Sequence, residues 1–380
     1  MPLKEYLLTP GPTPVPTRVA LAMAQPLPHH RAPAFEAIFA ECRAGLKWLY
    51  ETQQDVLMFS SSGTGVMEAA LVNLCRRGDE IIYVNGGKFG ERWGQLAAAY
   101  GLTAHELRVQ WGQAVEVETA RRALAEHPRA VAFCVQASES STGVVHPVQA
   151  LAELTSQHDA CLVVDAVSAV GAFPLPMDAW GLDVLLTGSQ KALMLPPGLA
   201  FSAASEKAWR RSAQADLPRF YFDWRLERDM QQKNQTAWTP AISLVLGLVE
   251  VLRWLREETL PVIYARHERL AQATRAAMEA IGLSLFASAP GVSITTVNSP
   301  VDSEKLVKQL RDRYGVTIVG GQDAAKGKIF RLAHLGYFDD LDIVVAVAAV
   351  ERALADLGFQ QKPFGTGVGA AMTVMAAAAR

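Results

Sequence analysis

In the first two thirds of the chain, apolar residues come in short unbroken runs and not in alternation. Residues 55–59, 80–84, 130–135, 161–164 and 183–186 are the clearest examples. Such runs predict strands covered on both faces, as in a mostly parallel α/β sheet. Between them, residues 66–75, 91–99, 117–126 and 147–157 read as helices. Residues 34–51 also read as a helix, with Phe35, Ile38, Phe39, Cys42, Leu46 and Leu49 on one broad face. A returning strand is predicted near 200–202.

The pattern breaks at both ends. Residues 1–17 carry Pro2, Pro10, Pro12, Pro14 and Pro16, so they predict an extended arm and not a helix. Residues 205–239 are rich in charged and aromatic groups. Helical periodicity then runs from 241 to about 281. Short alternating segments follow at 293–297 and 317–319, then a Gly320-Gly321 turn, a strand at 328–334 and a helix at 340–357. Helices on a small antiparallel sheet predict an α+β unit. The expected division is an arm (1–17), a large α/β domain (18–257) and a small C-terminal α+β domain (258–364). Residues 365–380 are Ala- and Gly-rich with sparse anchors, and predict a disordered tail. No internal repeat is present.

Composition narrows the class. With 380 residues, half of them apolar, the chain can bury a large core and has the length of about two domains. A formal net charge of -2 gives no reason to expect nucleic acid or an anionic membrane as partner. The first residues lack a signal pattern, and no apolar run is long enough to span a bilayer. Cys42, Cys75, Cys134 and Cys161 lack metal-ligand spacing, and three of them read as small core residues. The expectation is a cytoplasmic protein in a reducing compartment.

Candidate chemistry gathers where the predicted strands end, which is where open α/β sheets place their ligands. The apolar run Val184-Leu185-Leu186 stops at Thr187-Gly188, and Ser189-Gln190 then deliver Lys191. No other charge follows until after Pro197. A lysine set among apolar residues has its pKa lowered, as a Schiff-base lysine requires; from this stretch alone, a surface lysine in a strand-to-loop turn is the better reading. Ser62-Gly63-Thr64 opens a helix and suits either a phosphate or a plain cap. Phe89, flanked by glycines, suits stacking on a flat ligand or covering its own loop. Asp165 closes an apolar strand, where it pairs with a protonated ring nitrogen or caps the next segment. Arg331 shares a strand face with Ile329 and Ala333, and holds either an ion pair or a carboxylate.

In combination these residues resemble the class V, fold-type I family of pyridoxal-phosphate enzymes, closest to its alanine–glyoxylate and serine–glyoxylate (serine–pyruvate) aminotransferase branch. The motifs are Thr9-Pro10-Gly11-Pro12, Ser62-Gly63-Thr64, Gly87-Lys88-Phe89-Gly90, Glu139-Ser140-Ser141-Thr142-Gly143, Val164-Asp165-Ala166-Val167-Ser168, Gly188-Ser189-Gln190-Lys191, Pro196-Pro197-Gly198 and Phe330-Arg331. The resemblance implies a large domain with a mostly parallel sheet between helices, and a homodimer with shared active sites. It implies pyridoxal 5'-phosphate as cofactor, with Lys191 as its Schiff-base partner and Asp165 on the pyridine nitrogen. Phe89 would stack on the ring. Ser62, Gly63, Thr64 and Gln190 would hold the phosphate, and Thr236 or Thr239 would reach the neighbour's phosphate. Gly11, Ser140 and Arg331 would face the substrate carboxylate. The implied reaction is transamination from alanine or serine to glyoxylate or pyruvate.

Two rivals are weaker. A cysteine desulfurase of this fold would carry histidines where Gln190 and Phe89 stand, and a cysteine within 320–336; neither is present. Some relatives of this branch carry the label of a soluble-hydrogenase subunit, but no cysteine pattern here suits an iron–sulfur cluster.

Overall fold

The computed structural model describes residues 4–378. Seven strands form the central sheet, in the order Val56–Phe59, Ala200–Ala204, Val184–Gly188, Cys161–Asp165, Ala130–Gln136, Glu80–Asn85 and Thr103–Arg108. Ala200–Ala204 runs antiparallel to both neighbours, and the remaining pairings are parallel. The architecture is the expected α/β class, with a mostly parallel sheet between helices.

The unbroken apolar runs have a direct explanation. Along each central strand, successive side chains enter two different cores. Met58, Ile82, Val84, Phe133, Val135, Leu162, Val164 and Leu185 pack on one face. Leu57, Phe59, Ile81, Ala132, Cys134, Cys161, Val163 and Leu186 pack on the other. A strand wetted on neither face has no place for polar alternation.

A third core lies under the small sheet of Ile294–Asn298, Ile329–Ala333 and Val319–Gly320, which pair antiparallel. The helix Leu260–Ala280 crosses between cores. Leu260 and Ile263 join the large sheet's core, and Leu270, Ala273 and Ala277 join the small sheet's. Packing therefore changes hands inside this helix, not at residue 258. The arm is shared as well. Tyr6–Leu7 pairs in parallel with Val316–Thr317, and Leu8 is buried in the third core.

Two elements differ from the sequence reading. Thr103–Arg108 is an edge strand that the pattern does not announce. It is polar because only one flank is paired and its side chains are largely wet. The tail is not disordered over its described residues. Thr366–Ala378 is a helix packed on the Leu260–Ala280 helix. The reason lies outside the tail itself. Buried Glu351 accepts hydrogen bonds from Gly365 N (2.8 Å) and Gly367 N (2.7 Å), so a carboxylate caps the helix start. Ala371 and Met375 then supply the apolar anchors. No helix among the described residues is long and apolar enough to cross a membrane.

Glu351→Ala should release this helix. Losing hydrogen bonds to a charged group predicts a loss of about 1–3 kcal/mol. Urea unfolding measures the loss, and limited proteolysis should show new cleavage beyond Pro363.

Candidate active site

The carboxyl ends of the parallel strands open on one cavity of about 230 Å³. Nine of the expected residues line it: Gly11, Ser62, Gly63, Thr64, Phe89, Ser140, Asp165, Gln190 and Lys191. Ser62 precedes the Gly63–Leu74 helix, whose first turn carries Gly63 and Thr64; Phe89 lies in the first turn of the Lys88–Ala99 helix, and Lys191 comes from the loop after Val184–Gly188.

That loop is fixed from several sides. Ser189 N bonds to Leu199 O, and Ser189 Oγ donates to Pro196 O. Thr13 N donates to Gln190 O, and Thr13 Oγ1 donates to Lys191 O. The arm therefore clamps the lysine's own backbone. Lys191 Nζ donates to Pro10 O at 2.5 Å. The Gly11 φ of +137° favours glycine, and a Cβ there would lie 2.4 Å from Nζ and push the lysine's tip aside. Burial lowers the Lys191 pKa to about 8; Asp165 opposes the shift and Arg331 adds to it.

Asp165 ends the Cys161–Asp165 strand and is buried. Its carboxylate accepts the Val167 N–H at 3.0 Å. Burial is the main reason its pKa rises to about 6; the Val167 N–H works against the rise and Glu139 adds to it. Arg92 and Lys191 pull it down more weakly. Asp165 and Lys191 therefore face one cavity with opposite charges.

Gly63–Leu74 starts at Ser62 without a side-chain cap, so its first backbone N–H groups remain available to an anion. Gln190 Oε1 is buried without a partner. Beside them, Arg92 Nη1 donates to Thr64 Oγ1 at 2.9 Å and its guanidinium sits 5.0 Å from the centre of the half-buried Phe89 ring. Arg92 was not singled out in the sequence. The available signal is its position three residues after Phe89, on the same helix face.

Arg331 does not line the cavity but lies against it, 6% exposed. Its Nη1 donates to Ser140 O at 2.7 Å, and its Nε and Nη2 donate to Gly320 O at 3.1 and 2.8 Å. All these acceptors are neutral carbonyls. Burial lowers its pKa to about 10, so it remains a cation at neutral pH. Thr236 and Thr239 are elsewhere in the single chain. They line a small crevice with Met58, Tyr221 and Trp238, and Thr236 Oγ1 donates to Trp238 O. Their backbone follows the Trp224–Gln231 helix, which packs on the sheet's far edge strand.

The donor set fits pyridoxal phosphate. The uncapped helix start and Arg92 suit the phosphate, and Gln190 suits it only through its side-chain NH2, since its Oε1 accepts and does not donate; Asp165 suits a protonated ring nitrogen; Lys191 is a buried amine suited to an aldehyde.

Comparison with known proteins agrees. A family model described as "Aminotransferase class-V" matches residues 5–336. A protein named soluble hydrogenase, small subunit, from Synechococcus sp. is 42% identical over 99% of both chains. Serine–glyoxylate aminotransferase from Methylorubrum extorquens is 34% identical over 98% of this chain and 96% of its own. The crystal structure of ureidoglycine–glyoxylate aminotransferase from Bacillus subtilis is 27% identical, has a TM-score of 0.93 and covers 98% of each chain. With the fold, the cavity and these likenesses together, the chain belongs to the class V aminotransferases, enzymes whose cofactor is pyridoxal phosphate.

Proposed function

We propose that the protein transfers the amino group of a small L-amino acid, alanine or serine, to a 2-oxo acid such as glyoxylate or pyruvate. The carrying observation is the pairing of buried Lys191 and buried Asp165 across one cavity. The glyoxylate names of relatives sharing about a third of its residues support the acceptor.

When bound, the cofactor supplies an electron sink for the pair left by the α C–H bond. Everything else falls to the chain. Lys191 would supply the amine that holds the cofactor's aldehyde carbon, and its free amine would carry the α-proton. Its lowered pKa leaves a usable fraction of neutral amine near pH 7 to 8. Asp165 holds the ring nitrogen's proton, and a cation placed opposite stabilises its buried carboxylate. Phe89 supports the ring face. Ser62, Gly63, Thr64, Gln190 and Arg92 receive the phosphate. Arg331 is a buried cation with no ion-pair partner among the described residues, and such a group favours an incoming carboxylate. Ser140 and Gly11 border that carboxylate, and their small size suits a small side chain. We read the protein as a homodimer, in which Thr236 or Thr239 of one protomer reaches the other's cofactor phosphate.

The hydrogenase name of two relatives raises a non-catalytic reading. A scaffold has no use for a buried amine poised near neutrality. The four cysteines are all buried, and burial raises every thiol pKa. They are poor candidates to hold a cluster.

Lys191→Ala should cut the half-reaction with L-serine or L-alanine by at least about 10³-fold, more than a general base alone commonly contributes at its lower bound. Some cofactor should remain bound without covalent attachment. Loss of visible absorbance on adding amino acid measures it, and full activity in the variant would sink the assignment.

The rate at which cofactor-free protein takes up pyridoxal phosphate should rise with pH and level off above about 8. The reactive amine is the neutral one, so lowering pH through 8 protonates it and slows uptake. A profile still climbing tenfold per unit at about pH 9.5 would match a solvated lysine instead.

Arg331→Lys keeps the charge and loses the fork. It should raise the KM for L-serine by about tenfold to a hundredfold while cofactor affinity stays close to wild type. Steady-state kinetics alongside equilibrium dialysis separates the two.

A further inference from the structure

Glu139 is the most buried carboxylate near the cavity, with no exposed surface. It sits in a short antiparallel ribbon, Ser138–Glu139 against Val144–Val145. It has no ion-pair partner within salt-bridge distance among the described residues. Its acceptors are filled instead by neutral donors. Oε2 receives Gly90 N at 2.9 Å, and Oε1 receives Ser141 N at 3.1 Å and Ser141 Oγ at 2.6 Å, with Phe89 N at 3.5 Å. Ser141 Oγ in turn accepts Lys88 N at 2.9 Å. The carboxylate therefore caps the Lys88–Ala99 helix, whose positive end compensates its charge.

Two features show that this contact is built in. A Cβ on Gly87 would lie 2.5 Å from Glu139 Cδ and 2.4 Å from Ser141 Oγ, so a glycine is needed for the helix start to approach. The next residue in the chain, Ser140, presents its carbonyl to Arg331 Nη1 at 2.7 Å. One carboxylate thus touches the backbone of Phe89 on one side, and is covalently next to the residue that holds Arg331 on the other.

We propose that Glu139 is a positioning residue: it ties the aromatic platform at Phe89 to the Ser140–Arg331 anchor, so that cofactor ring and substrate carboxylate keep one mutual geometry. This rests on the reading of the site given above. An ionised carboxylate is required because it only accepts; a glutamine would turn an NH2 group toward N–H donors. Burial pushes the Glu139 pKa up, while the bonds from Ser141, Gly90 and Phe89 pull it back. Its charge also acts beyond contact distance, raising the pKa of both Arg331 and Asp165.

The test compares E139Q with D183N. Asp183 is a buried carboxylate at the opposite ends of the strands, accepting from Leu162 N and Ser205 Oγ. Three quantities are read: pyridoxal-phosphate affinity of cofactor-free protein, propionate affinity of cofactor-loaded protein, and circular dichroism of the bound cofactor's visible band. E139Q should weaken both affinities about tenfold or more, as expected for a lost charge-assisted hydrogen bond, and reduce the visible dichroism. D183N should lower the melting temperature and leave all three unchanged. S141A keeps the carboxylate and removes one donor; it should shift the three readouts the same way by less, and it carries the test if E139Q does not fold. Wild-type behaviour in E139Q, or changes in D183N that match it, would overturn the proposal. Failure of the wild type to take up either ligand would sink the reading of the site, and the tie with it.

Discussion

An ammonium group withdrawn from water at the end of a parallel sheet is the constraint on which this structure depends. Lys191 Nζ is left with one neutral acceptor, Pro10 O, and with the field of Asp165. Neither suffices to hold it fully charged, and the amine moves toward neutrality. The surroundings are arranged to keep it there. The arm bonds to the lysine's backbone through Thr13, and Gly11 clears the space around Nζ. Parallel strands end side by side, so Asp165 arrives opposite without further design.

The buried charged groups near the cavity are of both signs, and none of them has an ion-pair partner in direct contact among the described residues. Lys191 and Arg331 are basic groups, and Asp165 and Glu139 are carboxyl groups whose pKa burial pushes up. Burial opposes the charged form of each, and each is steadied by backbone dipoles or by an opposite charge at longer range. Such a site is costly as it stands and gains by taking up a zwitterion or a polyanion. On the proposed reading, a protonated ring nitrogen would answer Asp165 and a carboxylate would answer Arg331. The same argument explains why Arg331 bonds only to carbonyls: a resident carboxylate would have to be displaced first.

Much of this was legible in the sequence because it is local. Apolar runs marked the two-sided strands, and polar turns after them marked Ser62, Phe89, Asp165 and Lys191. What was missed depends on contacts distant in sequence. The tail helix needs Glu351, which no pattern within 365–380 reveals. The Thr103–Arg108 strand is held by one neighbour and carries an edge strand's polar surface. Arg92 is placed at the cavity by its bond to Thr64, 28 residues away. Glu139 stood inside a quoted motif, yet its task is visible only once the Lys88–Ala99 helix is set against it. Thr236 and Thr239 make the opposite point. Their types suit a phosphate, and the single chain leaves them at another crevice.

The arm also accounts for how the site couples the two parts of the fold. Leu8 is buried in the small sheet's core, and its N–H bonds to Thr317 O. Two residues later, Pro10 O holds Lys191, whose loop belongs to the large sheet. Arg331 comes from the small sheet and reaches across to Ser140 O. The site is therefore assembled from both cores by the arm on one side and by Arg331 on the other. A ligand that engages Lys191 and Arg331 together adds its binding free energy to contacts that already join the cores. Linkage then requires the occupied protein to resist unfolding more than the free one, because the unfolded chain offers no such pair of groups.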